Sequence, residues 1–270
     1  MGLFPLHNRS SPPIVEAMIL KDLDVYFTGL LDIPSYTRID ASLNGLQVGD
    51  LQAEVGKAAF AVDACQETFR RARQAGADLL FVHHGLFWGK PAAVTGALYE
   101  RIRLLMEGPL ALYAAHLPLD LHAELGNNAA LVRRMGLEGV EPFGSYNGVK
   151  IGFKGILPEP LSLDQALDRL GLTRETCLSL LPFGKDSISR VAVVSGGAAN
   201  EVYQALDEEI DLYITGEVSH QIYHHCLEGR IHFAAGGHYL TETCGVREVA
   251  RRVTRDLGLE TEFIDVPTGL

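Results

Sequence analysis

The sequence has few cysteines, and no two of them have the spacing of a metal-binding pair. The four in the 270 residues are Cys65, Cys177, Cys226 and Cys244. This scatter argues against a disulfide framework and against a zinc site built from thiolates. We expect four reduced thiols in a cytoplasmic protein.

Basic residues and long apolar runs are also scarce. Lys and Arg number 23 against 34 Asp and Glu, which gives a net charge of -11 at pH 7. Proteins that grip nucleic acid without sequence preference neutralise phosphates with Lys and Arg, so this charge argues against such a partner. No apolar run approaches the roughly 18 residues of a membrane-spanning helix, and we expect no membrane span.

The first 17 residues lack the basic start and the apolar run of a signal peptide. They contain three prolines and a polar stretch, and we expect a disordered leader. The first periodic segment starts at Met18, which is therefore a candidate start of translation. The rest of the chain is long enough for two modest domains.

Alternating strand and helix patterns predict an α/β fold. Two apolar runs that start at Ala58 and Ala77 predict buried strands, with a helix between them, and this unit favours parallel pairing. Both runs recur at the same offset of 133 residues, starting at Val191 and Ile210. We interpret the recurrence as a diverged internal duplication, which predicts two similar α/β lobes with central sheets flanked by helices.

The predicted first lobe comprises residues 18–125 and 235–270 and carries most of the candidate ligands, and residues 126–234 form the second lobe. A turn cluster at residues 144–148 is the candidate crossing between them. The tail is predicted to contain a helix and then a strand that returns to the first lobe, at residues 245–257 and 261–266.

Polar side chains follow the predicted strands in both lobes. His83 and His84 end one apolar run, Asp120 follows the next, and His238 and Glu242 are spaced to share one face of a helix. Ligands of open α/β sheets bind beyond the carboxyl ends of the strands, so these side chains can line one crevice.

Imidazole and carboxylate ligands without thiolate suit zinc, manganese, iron or nickel. Three histidines and two carboxylates exceed what one tetrahedral catalytic zinc uses, and a carboxylate can bridge two ions. We therefore predict a site for two divalent metal ions, with either Asp120 or Glu242 as the bridge.

Each candidate ligand also has a purely structural interpretation. His83 and His84 can point to opposite faces of a strand, one into the core and one to solvent. Asp120 follows a Pro-Leu pair and can cap a helix. His238 and Glu242 can form an exposed helical pair.

Two further polar residues, Glu217 and His220, follow the second-lobe strand, where Glu217 corresponds to His84 at the repeat offset. They are candidates for substrate contact, for water activation or for support of a metal ligand. A surface or core position is the alternative for both. Phe87 and Trp88 are candidates for an aromatic wall over the metals, or for the core.

These motifs, in this order from Met18 to the end, resemble the NGG1-interacting-factor-three-like family, whose members are often labelled GTP cyclohydrolase 1 type 2 homologues. The segments that carry the likeness are residues 44–49, 83–88 and 116–120, Gly216-Glu217 with His220, and Gly237-His238 with Thr241-Glu242.

The resemblance implies a two-lobed α/β protein with a dinuclear metal centre, commonly assembled as a toroidal homohexamer. Its metal ligands fall on His83, His84, Asp120, His238 and Glu242, the same five residues. Some members carry an extra domain between the halves, for which the segment between Asp120 and His238 leaves no room.

We predict a metal-dependent hydrolase with a small-molecule substrate. Two ions lower the proton affinity of a bound water, which then attacks carbon or phosphorus. GTP ring opening, the activity in the family label, fits this chemistry, although no Gly-x-x-x-x-Gly-Lys-Ser/Thr loop is present to cradle a triphosphate. Amide, peptide and phosphoester substrates therefore stay open. The alternative is a non-enzymatic metal-binding ring that acts as a scaffold or regulator.

Overall fold

The computed structural model describes residues 17–270, so the predicted leader lies outside the described residues except for Ala17. Among the described residues, no helix combines the length and the apolar character that crossing a bilayer requires. The α-helices are α1 Leu20–Leu30, α2 Ile33–Tyr36, α3 Gln66–Gln74, α4 Gly96–Glu107, α5 Leu117–Asp120, α6 Asn127–Met135, α7 Leu163–Arg169, α8 Val202–Asp207, α9 Tyr223–Gly229 and α10 His238–Leu257.

Short 3-10 helices lie at Ala199–Glu201 and His220–Ile222. The strands are β1 Met18–Ile19, β2 Gly45–Val48, β3 Glu54–Val55, β4 Lys57–Asp63, β5 Leu79–His84, β6 Ala111–Ala114, β7 Glu138–Tyr146, β8 Val149–Leu161, β9 Ser179–Pro182, β10 Ile188–Val193, β11 Leu212–Thr215, β12 His232–Ala235 and β13 Glu260–Phe263.

The first sheet has the strand order β13-β4-β5-β6-β2. Strands β13, β4, β5 and β6 are parallel, and β2 is antiparallel at the edge. One face packs on α1 and α10, where Phe27, Phe81 and Val249 are fully buried, and the other face packs on α3 and α4 around Phe69 and Leu105. Burial on both faces explains why β4 and β5 are continuous apolar runs in the sequence.

The second sheet has the order β7-β8-β10-β11-β12-β9. Its parallel strands are β10, β11 and β12, with antiparallel neighbours on both sides. Helices α6 and α7 cover one face, and α8 and α9 cover the other. The predicted α/β fold with central sheets flanked by helices is confirmed. Three consecutive parallel strands in each sheet support the interpretation as a duplication, and the lobe boundaries stay a prediction.

Two predicted features of the chain path were wrong. The turn at residues 144–148 is not a crossing between lobes, because it closes the hairpin of β7 and β8 within the second sheet. Asn147 and Gly148 there have positive φ angles of 47° and 83°, which suit a tight hairpin turn. The tail helix begins at His238 rather than at residue 245, directly after Gly237, whose φ is 100°.

The tail connects the two halves of the molecule. Helix α10 contributes Val249 and Val253 to the core of the first sheet and Cys244 to the core of the second. Strand β13 then pairs with β4 in parallel, so the predicted last strand joins the first sheet. The first turn of α10 is therefore held between the carboxyl ends of both sets of parallel strands.

Candidate metal centre

The two histidines at the end of β5 converge on one carboxylate. Nε2 of the fully buried His83 lies 3.5 Å from Glu242 Oε1, and Nε2 of His84 lies 3.2 Å from Glu242 Oε2. Their ring centroids are 4.6 Å apart. The sequence had suggested that both histidines follow the strand. They lie within it, yet their imidazoles meet at one point.

The first turn of α10 supplies the next pair of side chains. His238 Nε2 lies 3.1 Å from Glu242 Oε2, as expected for residues four apart in a helix. Glu242 is buried, and Gly196 in the turn after β10 lies against its carboxylate. A Cβ on Gly196 would lie 2.2 Å from Glu242 Oε1, so any other residue at this position would have to displace the carboxylate.

Asp120 is the last residue of α5 and caps neither of the helices around it, which have His116 and Gly126 at their N-caps. Its Oδ1 accepts hydrogen bonds from Asn127 Nδ2 at 2.9 Å and from Ser195 Oγ at 3.2 Å. The other oxygen, Oδ2, lies 3.5 Å from His83 Nε2. One oxygen of Asp120 is thus anchored and the other faces the histidine cluster.

The three histidines are oriented from behind in the same way. Each pairs its Nδ1 with an oxygen acceptor, which is Ala115 O at 2.9 Å for His83, Asp63 Oδ1 at 2.8 Å for His84 and Glu217 Oε1 at 2.5 Å for His238. A neutral imidazole that donates through Nδ1 carries its lone pair on Nε2. In that tautomer the three Nε2 lone pairs point at the carboxylates of Asp120 and Glu242.

The residues present fit a divalent metal ion. His83 Nε2 and Glu242 Oε2 are buried without a hydrogen-bond partner of acceptable geometry. A nitrogen lone pair and a carboxylate oxygen that face each other repel each other unless a proton or a cation lies between them. Among residues 17–270, three groups have ligand atoms within 4.8 Å of one another: His83, His84 and His116; His84, His238 and Glu242; and His83, Asp120 and Glu242.

Without a metal, protons are held at this cluster. Burial lowers the pKa of His83, but the carboxylates of Asp120 and Glu242 outweigh it and raise that pKa to about 10. Pairing with Glu242 raises the pKa of His238 to about 9 against the effect of its burial. Burial of Glu242 opposes its ionisation, yet His83, His238 and His84 hold its pKa well below the usual range.

A buried network beside the cluster was missed by sequence reasoning. Asp40 accepts hydrogen bonds from His116 Nδ1 at 2.9 Å and from the backbone nitrogens of Ser42 and Leu117. Asn44 donates to Asp40 and accepts from the His116 backbone nitrogen. Burial opposes ionisation of Asp40, but these bonds keep its pKa below the ordinary value. The only available signal was that Asn44 and His116 lie in the recognised motifs.

The two predicted catalytic residues have different surroundings. Glu217 is half-exposed and touches the cluster through its short hydrogen bond with His238, so it supports a candidate ligand from behind. His220 is exposed at the start of a 3-10 helix and lines neither cavity next to the cluster. A catalytic role of His220 therefore stays a prediction without a supporting contact.

An open cavity of about 580 Å³ lies against the cluster. His84, Asp120, His238 and Glu242 are part of its wall. Trp88 is 41% exposed and lines the cavity rather than the core, with its ring 4.9 Å from that of His116. This volume is in the range of small-molecule sites.

The likeness to a known family extends over the same segments. A family model described as Duf34/NIF3 (NGG1p interacting factor 3) matches residues 18–269. The chain belongs to the Duf34/NIF3 family. The resemblance inferred from the five motifs is confirmed.

Other Duf34/NIF3 proteins match along nearly the whole chain. A protein of Treponema pallidum named GTP cyclohydrolase 1 type 2 homolog is 42% identical, in an alignment that covers 94% of this chain and 100% of the relative. One of the same name from Archaeoglobus fulgidus is 43% identical with the same coverage. The crystal structure of TTHA1606 from Thermus thermophilus aligns with a TM-score of 0.84 and 38% identity, and covers 94% of this chain and 100% of that one.

Proposed function

We propose that this Duf34/NIF3 protein is a dinuclear metal-dependent hydrolase. Two divalent ions, drawn from zinc, manganese, iron and nickel, would be held by His83, His84, Asp120, His238 and Glu242. The observation that carries the proposal is that three Nε2 atoms and two buried carboxylates converge beside an open cavity, whose wall includes four of the five residues.

Glu242 is the better candidate for the bridging ligand. Its Oε1 faces His83, whereas its Oε2 faces His84 and His238. It belongs to two of the three groups of candidate ligands, whereas Asp120 belongs to one. Asp120 has one oxygen occupied by Asn127 and Ser195, which favours a terminal position.

When bound, such ions lower the pKa of a coordinated water and polarise the bond under attack. The chain's own residues would orient the ligands and the substrate. Glu217 and Asp63 hold the Nδ1 protons of His238 and His84, which keeps their Nε2 atoms available. His116 is held by Asp40 through Nδ1 and keeps Nε2 for a hydrogen bond with a molecule in the cavity.

Metal content per chain is the first test, measured by elemental analysis on protein purified without chelator. We expect about two ions in the wild type and in the exposed control Asp186→Ala, and a sharp fall in Asp120→Ala. The absence of metal from all three proteins after reconstitution with zinc, manganese and iron would contradict the proposal.

Turnover is then measured on the loaded protein. GTP is the first substrate to try because the relatives are named for a GTP cyclohydrolase, and amides, peptides and phosphoesters follow. Metal-dependent hydrolysis that Asp120→Ala loses and Asp186→Ala retains is the expected result. A protein that binds two ions but hydrolyses none of these would support the non-enzymatic scaffold instead.

We also propose the homohexameric ring that the family resemblance implies. The expected molar mass in solution is six times the 29.4 kDa of the chain, measured by light scattering after size-exclusion chromatography. A monomer or dimer at all concentrations would exclude the ring.

A further inference from the structure

The cavity contains a carboxylate that takes no part in the candidate metal cluster. Glu201 ends the 3-10 helix Ala199–Glu201 after β10 and lines the cavity together with Tyr146 on the β7–β8 hairpin. Its side chain packs beside Gly144, where an added Cβ would lie 3.6 Å from Glu201 Cγ. Glu201 is in none of the three groups of candidate ligands.

Glu201 has no cationic neighbour among residues 17–270. Burial raises its pKa, and the opposing effect comes from a hydrogen bond with its own backbone and from no basic side chain. The hydroxyl of Tyr213 donates to Ala198 O at 2.6 Å and is therefore committed elsewhere. A partly buried carboxylate without a positive partner gains free energy when a cation binds to it.

The remaining wall of the cavity favours the same kind of ligand. Of the described residues that line it, none is Lys or Arg. Trp88 and Tyr146 are 41% and 48% exposed, and aromatic rings of this kind attract cations. Asp40 is already satisfied by four hydrogen bonds within the chain. Glu201 is thus the carboxylate of this wall that is open to a ligand.

We propose that the cavity selects substrates that carry a cationic nitrogen, as an ammonium, amidinium or guanidinium group, and that Glu201 binds that group. The inference rests on the proposed hydrolase, because the scissile end of the same substrate would lie at the His83–Glu242 cluster. A polyphosphate tail would find no cationic side chain in this part of the cavity.

The test uses hydroxamates, which chelate divalent metals, with tails that differ in charge. The hydroxamates have butanoyl, hexanoyl or octanoyl chains, and the far end of each chain carries an ammonium group, no charge or a carboxylate group. Each compound is titrated into the zinc-loaded full chain, and its affinity is measured by calorimetry. At the best length we expect the ammonium tail to bind about fivefold more tightly than the neutral tail, and the carboxylate tail to bind more weakly than both.

Two variants localise the effect. Glu201→Gln should lose the preference for the ammonium tail and keep the affinity for the neutral tail. Glu159→Gln removes the same charge from an exposed position outside the cavity, and should keep the preference. Equal binding of all three tails at every length, or a preference that survives in Glu201→Gln, would overturn the proposal.

The outcomes separate this inference from the proposed hydrolase. A Glu201-dependent preference for the ammonium tail, without turnover of any substrate, would support the cation site and contradict the proposed hydrolase. Turnover of a substrate, together with hydroxamate affinities that do not depend on tail charge, would support the hydrolase and contradict the cation site. If no hydroxamate binds to protein that has been offered metal, both proposals fail.

Discussion

Asn127 links a candidate ligand to the helix that carries two others. Its Nδ2 donates to Asp120 Oδ1 at 2.9 Å, and its Oδ1 accepts from the backbone nitrogen of Gly245 in α10 at 2.7 Å. The neighbouring Asn128 instead donates to the backbone oxygens of Asp120 and Ile151. Of these two adjacent buried amides, Asn127 bonds to the Asp120 carboxylate as well as to the backbone, whereas Asn128 bonds to backbone atoms.

We predict that Asn127→Ala weakens metal binding about tenfold or more, because Asp120 loses the donor that orients it. The buried Gly245 nitrogen also loses its acceptor, at a cost of about 1–3 kcal/mol in the free energy of unfolding. Competition with a metal-sensitive dye measures the first effect and urea unfolding the second. Asn128→Ala is the control, with lower stability and a smaller change in metal affinity. Equal metal affinity of Asn127→Ala and wild type would show that Asp120 needs no such support.

The turn between β10 and the 3-10 helix brings the second sheet against the ligands. Gly196 there has a φ of 67°, and an added Cβ would lie 2.2 Å from Glu242 Oε1 and 3.3 Å from His238 Nε2. Gly171, after α7, has a similar φ of 72° but open space around its Cα. A comparison of substitutions at these two glycines therefore separates the effect of backbone strain from the effect of crowding at the candidate metal cluster.

Gly196→Ala is therefore predicted to displace Glu242 and to lower the metal content per chain well below that of the wild type. Gly171→Ala carries a comparable left-handed strain, about 1–2 kcal/mol, and should retain full metal content. Elemental analysis and thermal unfolding of both variants test this. Normal metal content in Gly196→Ala would mean that the carboxylate has room to move.

The elements were predictable where their patterns are local. The buried strands β4, β5, β10 and β11 are apolar runs of the expected length, and the recurrence at a constant offset indicated two similar halves. The hairpin of β7 and β8 was misassigned because a Gly-rich turn has the same composition whether it closes a hairpin or leads to another domain. The start of α10 was misplaced because its first turn is defined by Gly237 and by packing.

At the level of the whole molecule, the candidate ligands could be gathered because the carboxyl ends of parallel strands meet at one edge. The residues that hydrogen-bond to these ligands and position them could not be identified in this way. Asp40 reaches His116, and Asn128 reaches the Ser195 backbone, across distances along the chain that no local pattern encodes. The cluster therefore depends on the packing of both sheets, and a metal there would be bound only by the folded chain.

Metal binding should accordingly stabilise the entire fold, by about 2.7 kcal/mol at a free metal concentration one hundred times Kd. In metal-free protein, the stability that His83 and His238 contribute falls as the pH rises. The pKa values of His83 and His238 are raised from the ordinary 6.5 to about 10 and about 9. Their contribution to stability is complete below about pH 6.5 and is lost as the pH rises through about 9 to 10.

Metal ions compete with these protons for Nε2, so metal affinity rises with pH. We predict that the difference in Tm between loaded and chelated protein widens from about pH 6.5 to about pH 9.5. Thermal unfolding in matched buffers, with zinc or with chelator, measures it. In Glu242→Gln, His238 loses its main carboxylate partner and His83 loses one of its two, so the Tm of the chelated variant should vary less with pH. A chelated wild type that becomes more stable as the pH rises would contradict the raised pKa values of His83 and His238 in the metal-free cluster.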